Sequence, residues 1–176
     1  MITGGKGGEK TLTGLKFEKK IDLKEIFNKL RGYEVKGNEI LFNGNVVASF
    51  YGKYDLYNKL LNKHQINWEK RISKRWLPDE ALLVLSNSTL FIIEMKFQKV
   101  GGSVDEKLQT CDFKKKLYQK LLSGTGIDVE YCYVLSDWFM QKQYKDTLNY
   151  IESVGCKYFF EELPMSYLNL PEPNTN

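Results

Sequence analysis

Three side chains combine residue types and a setting that could hold a divalent cation against an anionic substrate. Glu94 and Lys96 close the run TLFIIEMKFQK (residues 89–99), which is almost wholly apolar up to Glu94. A carboxylate or an ammonium beside a hydrophobic strand is costly unless each finds a partner. The pair is therefore either a surface ion pair that ends a strand or part of a site. Successive strand side chains alternate faces, so Glu94 and Lys96 project together and Met95 projects opposite. The acid-x-lysine spacing itself carries little information. It recurs at Glu18/Lys20, Asp22/Lys24, Glu34/Lys36, Asp105/Lys107 and Asp112/Lys114, all in segments that read as polar helix or turn. Only Glu94/Lys96 ends a long apolar strand.

A cation site at that rim needs a second carboxylate. Mg2+ takes about six oxygens and is commonly held by one or two carboxylates together with water and substrate phosphate. Pro78-Asp79 stands just before ALLVLS (residues 81–86), and Asn87-Ser88 separates that run from residues 89–97. A hairpin across Asn87-Ser88 brings the start of the first strand beside the end of the second. Asp79, Glu94 and Lys96 are then expected to converge. Taken alone, Asp79 reads as an ordinary turn residue after proline.

The elements around these residues follow from pattern. Residues 11–31 read as two helical pieces, the second opened by Asp22 with Glu25 three positions on, a capping-box spacing. EILFNGNVVASF (residues 39–50) is a hairpin signal, with Asn43-Gly44 suited to a type I′ turn. Residues 53–63 and 66–75 read as helices, and the runs 81–86 and 89–97 as a hairpin in mid-sheet, since neither alternates cleanly. GGS at 101–103 breaks the chain before a helix over 104–122, whose apolar stripe skips Lys115. Residues 129–136 read as a buried strand, 138–153 as a helix and 156–160 as a last short strand. The expected fold is a single α/β domain over residues 1–176, with a mixed sheet clad by helices. The glycine-rich stretch 4–8 makes 1–10 a flexible start, and 171–176 reads as a loose tail.

Composition narrows the classes. The chain has 176 residues, 42% hydrophobic and 27% charged, as a soluble globular protein has. No apolar run reaches a membrane span, and MITGGKGGEK lacks the apolar core of a secretory signal, so a cytoplasmic protein without membrane contact is expected. Cys111, Cys132 and Cys156 form no CxxC and read as reduced, buried thiols. A single histidine, His64, argues against a histidine-ligated zinc or a Ser-His-Asp triad. Net charge is +4, and the basic residues concentrate between Lys59 and Arg75, around Trp68 and Trp76. Lys70, Arg71, Lys74 and Arg75 are thus candidates for a nucleic-acid surface, with a solvated helix face as the alternative.

Pro78-Asp79, a hairpin and then Glu94-Met95-Lys96 together resemble the PD-(D/E)xK nuclease superfamily. Glu18, four residues after Gly14 in GLKFE, is similar in placement to an additional acid of many members. GSVDEKLQ after the acid–lysine strand, and the opening GGKGGEKTLTGLKFE, resemble type II restriction endonucleases of that group. The resemblance implies an αβββαβ core like that of restriction endonucleases, with inserted helices, and a Mg2+-dependent site-specific cut in double-stranded DNA by a homodimer. It implies Asp79, Glu94 and the Met95 carbonyl as metal ligands, Lys96 near the attacking water and the phosphate, and Glu18 as an orienting acid. Lys107 and Gln109, at the next helix start, could touch the DNA backbone, or form a plain polar face. A repair or junction-resolving nuclease of the same fold, and a non-catalytic basic DNA-binding domain, are the competing readings.

Overall fold

The two apolar runs flanking Asn87-Ser88 lie in the middle of a sheet and are covered on both faces. In the computed structural model, residues 14–16, 22–99 and 104–175 are described, Val104 and Asp105 by backbone alone. They form, in chain order, β1 (Gly14–Lys16), α1 (Leu23–Lys29), β2 (Tyr33–Lys36), β3 (Glu39–Phe42) and β4 (Asn45–Phe50). Next come β5 (Glu80–Val84), β6 (Thr89–Lys96), α2 (Val104–Leu108), α3 (Cys111–Leu122) and β7 (Asp128–Leu135). The chain closes with α4 (Lys145–Ser153), β8 (Lys157–Phe160) and β9 (Glu162–Pro164). A π-helical segment, Leu56–Leu61, and a single 3-10 turn, Trp68–Lys70, lie between β4 and β5.

Seven strands make one sheet in the order β2-β3-β4-β5-β6-β7-β8. Neighbours are antiparallel from β2 to β6, and β7 and β8 then run parallel to β6. β1 and β9 pair as a separate antiparallel ribbon. Alternation divides the strand side chains between two cores. Ala81, Leu83, Leu90, Ile92, Tyr131 and Tyr133 meet the π-helical segment, α2, α3 and α4. Leu82, Val84, Phe91, Ile93, Cys132 and Val134 meet α1, the ribbon and the residues after it. Each fully buried leucine or isoleucine stabilises this arrangement by roughly 1.5–3 kcal/mol relative to exposure.

Local chemistry explains several elements. The Asp22 side chain accepts from the Lys24 amide at 3.0 Å, as an N-cap should, and α1 begins one residue later. Asn43 and Gly44 have φ of 48° and 82°, the two positive values of a type I′ turn, so β3 and β4 form the expected hairpin. The three cysteines are free and buried. Among the described residues no helix is long and apolar enough to cross a membrane.

Other expectations are corrected. Within the first helical piece, residues 14–16 are instead a strand, because Leu15 buries by pairing opposite Leu163. Residues 66–75 contain only the 3-10 turn, capped by the Asn67 side chain. Only Ile66 and Ile72 are buried there, too sparse a stripe to support a full helix. The helix over 104–122 is interrupted at Gln109-Thr110, where the Thr110 hydroxyl bonds the Lys107 carbonyl at 2.7 Å and competes with the helical ladder. The helix over 138–153 begins only at Lys145, after two 3-10 turns that bury Phe139 and Tyr144. The tail after Leu170 is anchored rather than loose: Pro173 is buried, and Asn174 donates from its backbone to the Arg31 carbonyl at 3.1 Å. The glycine-rich start, 1–10, and the GGS at 101–103 lie outside the described residues.

Candidate active site

Register brings the predicted residues together. Glu80 pairs with Ile93, so the residue entering β5 and the one following Ile93 in β6 are neighbours. Those residues are Asp79 and Glu94. Lys96 lies between them: its Nζ is 3.2 Å from Asp79 Oδ2 and 3.2 Å from Glu94 Oε2. The three groups differ in exposure, with side-chain values of 47% for Asp79, 19% for Lys96 and 6% for Glu94. One carboxylate faces solvent and the other lies under the helical layer.

A fourth group, which the sequence reading did not single out, completes this cluster. Lys114 on α3 donates to both oxygens of Glu94, at 2.7 and 2.9 Å. Buried α3 positions include Cys111, Tyr118, Leu121 and Leu122, and Lys114 and Lys115 fall on the same stripe at helical spacing. Lys115 uses that position to reach Glu130 at 2.9 Å and the Gly155 carbonyl at 2.7 Å. Two lysines inside an apolar stripe were the signal available in the sequence.

Electrostatics favours the charged forms of Glu94 and Lys96. Burial pushes the Glu94 carboxyl up, but Lys96 and Lys114 outweigh it and hold the group below the usual carboxylate range. Burial also works against the Lys96 ammonium, and Glu94 and Asp79 more than offset this, raising its pKa. The buried Tyr131 hydroxyl lies beside Glu94 without a hydrogen bond of full geometry, and burial pushes its pKa far up.

Asp79 sits on an irregular segment, yet that segment is fixed at successive backbone points. The Tyr57 hydroxyl donates to the Trp76 carbonyl and accepts from the Trp76 amide, both at 2.8 Å. Tyr118 of α3 donates to the same carbonyl at 3.0 Å. The Lys53 amide donates to the Pro78 carbonyl at 3.1 Å, and the Tyr51 amide to the Ala81 carbonyl at 2.7 Å. Gly52 permits this approach: a Cβ there would lie 3.1 Å from Glu80 Oε2 and 3.3 Å from the Asp79 carbonyl oxygen.

The Met95 carbonyl follows from strand geometry. The Lys96 carbonyl accepts from the Ser136 amide on the β7 side at 3.1 Å. Neighbouring carbonyls in a strand point to opposite edges, which directs that of Met95 to the β5 side, where Asp79 enters. The rim thus offers two carboxylates and a carbonyl, hard oxygen donors that suit Mg2+ once the Lys96 ammonium leaves the space between them. Among the described residues no three His, Cys, Asp or Glu side chains gather as a metal cage. Glu18 lies outside the described residues.

The basic candidates have separate surroundings. Arg71 is turned inward: its Nη1 bonds the carbonyls of Leu121 at 2.7 Å and Ser123 at 2.8 Å, closing the C-terminus of α3. Arg75 lies over the Trp68 ring at 4.8 Å and Lys74 over Trp76 at 4.4 Å, and both side chains are exposed, as is Lys70. Trp76 also meets the exposed Phe113 ring, with centroids 5.3 Å apart. Lys107 is exposed on α2, and Gln109 lines a shallow groove with Asp146, Thr147 and Tyr150 of α4. No family model, curated protein or solved structure matches this chain.

Proposed function

We propose that the protein is a Mg2+-dependent endonuclease of double-stranded DNA, of the type II restriction kind, built on a PD-(D/E)xK core. The observation that carries this reading is the meeting of Asp79, Glu94 and Lys96 at one sheet margin within 3.2 Å contacts. The order of elements supports it. α1 precedes the antiparallel run β4-β5-β6, and α3 then leads to β7 parallel to β6. This is an αβββαβ order once β2 and β3, which stand between α1 and β4, and the helical segment between β4 and β5 are taken as insertions.

In this reading Asp79, Glu94 and the Met95 carbonyl would hold Mg2+, which when bound would supply positive charge to polarise the scissile phosphodiester and ease ionisation of an attacking water. Lys96 donates hydrogen bonds from the same edge, orienting that water and offsetting charge that develops on the phosphate oxygens. Without the ion, Glu94, below the helical layer, keeps its charge through the two lysines. Lys70, Lys74 and Arg75 supply exposed positive charge beside Trp68 and Trp76 for the DNA backbone. A homodimer would place two such sites across a two-fold axis, one for each strand of a palindromic site.

Incubating the purified protein with phage DNA and Mg2+ tests the reading. Discrete bands that vanish with chelator are expected. Cutting confined to branched substrates would turn the reading to a junction nuclease, and DNA binding without metal-dependent cutting on any substrate would leave a non-catalytic binding domain.

A further inference from the structure

We propose that Lys114 competes with the metal for Glu94 and passes its charge to the DNA phosphate, so that metal and DNA bind this site cooperatively. The inference rests on the nuclease reading and concerns how that same site is loaded.

Glu94 is held by two ammonium groups. Lys114 Nζ reaches both of its oxygens, at 2.7 and 2.9 Å, and Lys96 Nζ lies 3.2 Å from one of them. Among the described residues Lys114 Nζ bonds to Glu94 alone, whereas Lys96 also reaches Asp79. Two carboxylates and two ammonium groups therefore cancel within one largely buried cluster, where Lys114 is only 17% exposed.

A dication that takes Asp79 and Glu94 must displace those ammonium contacts. The cluster would then carry an excess of two positive charges, and burying unpaired charge is expensive. A DNA phosphate supplies the missing negative charge. Lys114, a point charge on a flexible four-carbon stem from the opposite layer, can swing from Glu94 to that phosphate. Metal alone consequently binds weakly, DNA raises the metal's affinity, and by linkage the metal raises the affinity for DNA by the same factor.

The test uses the intact protein and Ca2+, a dication of the same oxygen preference. Calorimetry follows Ca2+ binding with and without a duplex from phage DNA. Wild-type protein should bind Ca2+ about tenfold or more tightly with the duplex, within the usual range of coupling between sites. Lys114→Gln should bind Ca2+ about tenfold more tightly in the absence of DNA, lose most of the coupling, and cut more slowly with Mg2+. Lys114→Arg, which keeps the charge, should retain the coupling. Equal Ca2+ affinity in wild type and Lys114→Gln, or no coupling in the wild type, overturns the proposal. The wild-type measurement stands even if Lys114→Gln fails to fold. If wild type shows no Mg2+-dependent cutting, the nuclease reading falls, yet the DNA-free Ca2+ comparison still reports whether Lys114 competes for Glu94.

Discussion

The acid–lysine cluster divides its labour by depth. Exposed Asp79 can exchange water for a ligand readily, whereas Glu94 is buried and keeps its charge only because two lysines neutralise it. Asp79→Asn should therefore abolish cutting while leaving stability nearly unchanged, because an exposed ion pair contributes less than about 1 kcal/mol. Glu94→Gln should abolish cutting and also lower stability, since it strands the largely buried Lys114 ammonium without a carboxylate and leaves Lys96 with Asp79 alone. Paired plasmid digestion and urea unfolding check both, and a cutting Glu94→Gln protein would remove that residue from the site. Glu80, one residue on from Asp79 but facing the opposite core, titrates differently. Burial first and then Asp22 push its carboxyl up to about 7, against the opposing pull of Lys53 and Lys24. Between an unfolded value near 4.5 and that folded value, the native state holds a proton that the unfolded chain has released. Stability should therefore fall as pH rises across this window and level off above it. Melting curves in chelator should show this slope in wild type and lose it in Glu80→Gln; parallel curves would refute it.

At the level of elements, strand ends were the most legible part of the sequence. The apolar run of β6, its terminal Glu94 and Lys96, and the turn at Asn87-Ser88 together foretold the meeting with Asp79, because a hairpin leaves little freedom in register. Asn43-Gly44 foretold its hairpin for the same reason. Lys114 was legible as a lysine inside the apolar stripe of α3 but not as a partner of Glu94, since the sequence does not say which strand residue faces that helix. Arg71 was legible as a charge but not in its role. Composition groups it with Lys74 and Arg75, whereas the structure uses it to close α3. Arg71→Ala should cost about 1.5–3 kcal/mol in urea unfolding, the range for hydrogen bonds to a charged group, with DNA retention little altered. Lys74→Ala and Arg75→Ala should instead weaken DNA retention and flatten its salt dependence, with stability unchanged. The opposite pattern would make Arg71 the DNA contact.

Across the whole molecule, the α/β class and the helix-clad mixed sheet were readable from periodicity, but the seam that closes the second core was not. β9 is three residues long, and the polar stretch beyond it conceals Met165, Leu168 and Leu170, all buried. Removing residues 165–176 should unfold the protein: losing those three side chains forfeits roughly 1.5–3 kcal/mol each, a large share of a typical total of about 5–15 kcal/mol. Removing only 171–176 should be milder, on the order of 1–2 kcal/mol for the lost bonds from Tyr33 to Pro171 and from Asn174 to Arg31. Circular dichroism and urea midpoints of the two truncations check the ranking. The grip of Tyr57 and Tyr118 on the Trp76 peptide has a further consequence for alkaline solution. Burial raises the pKa of both phenols, so they stay protonated where an unfolded chain would already have surrendered those protons. Rising alkalinity thus draws the chain toward unfolding before either tyrosine lets go, and indole emission and helical ellipticity should change in a single step.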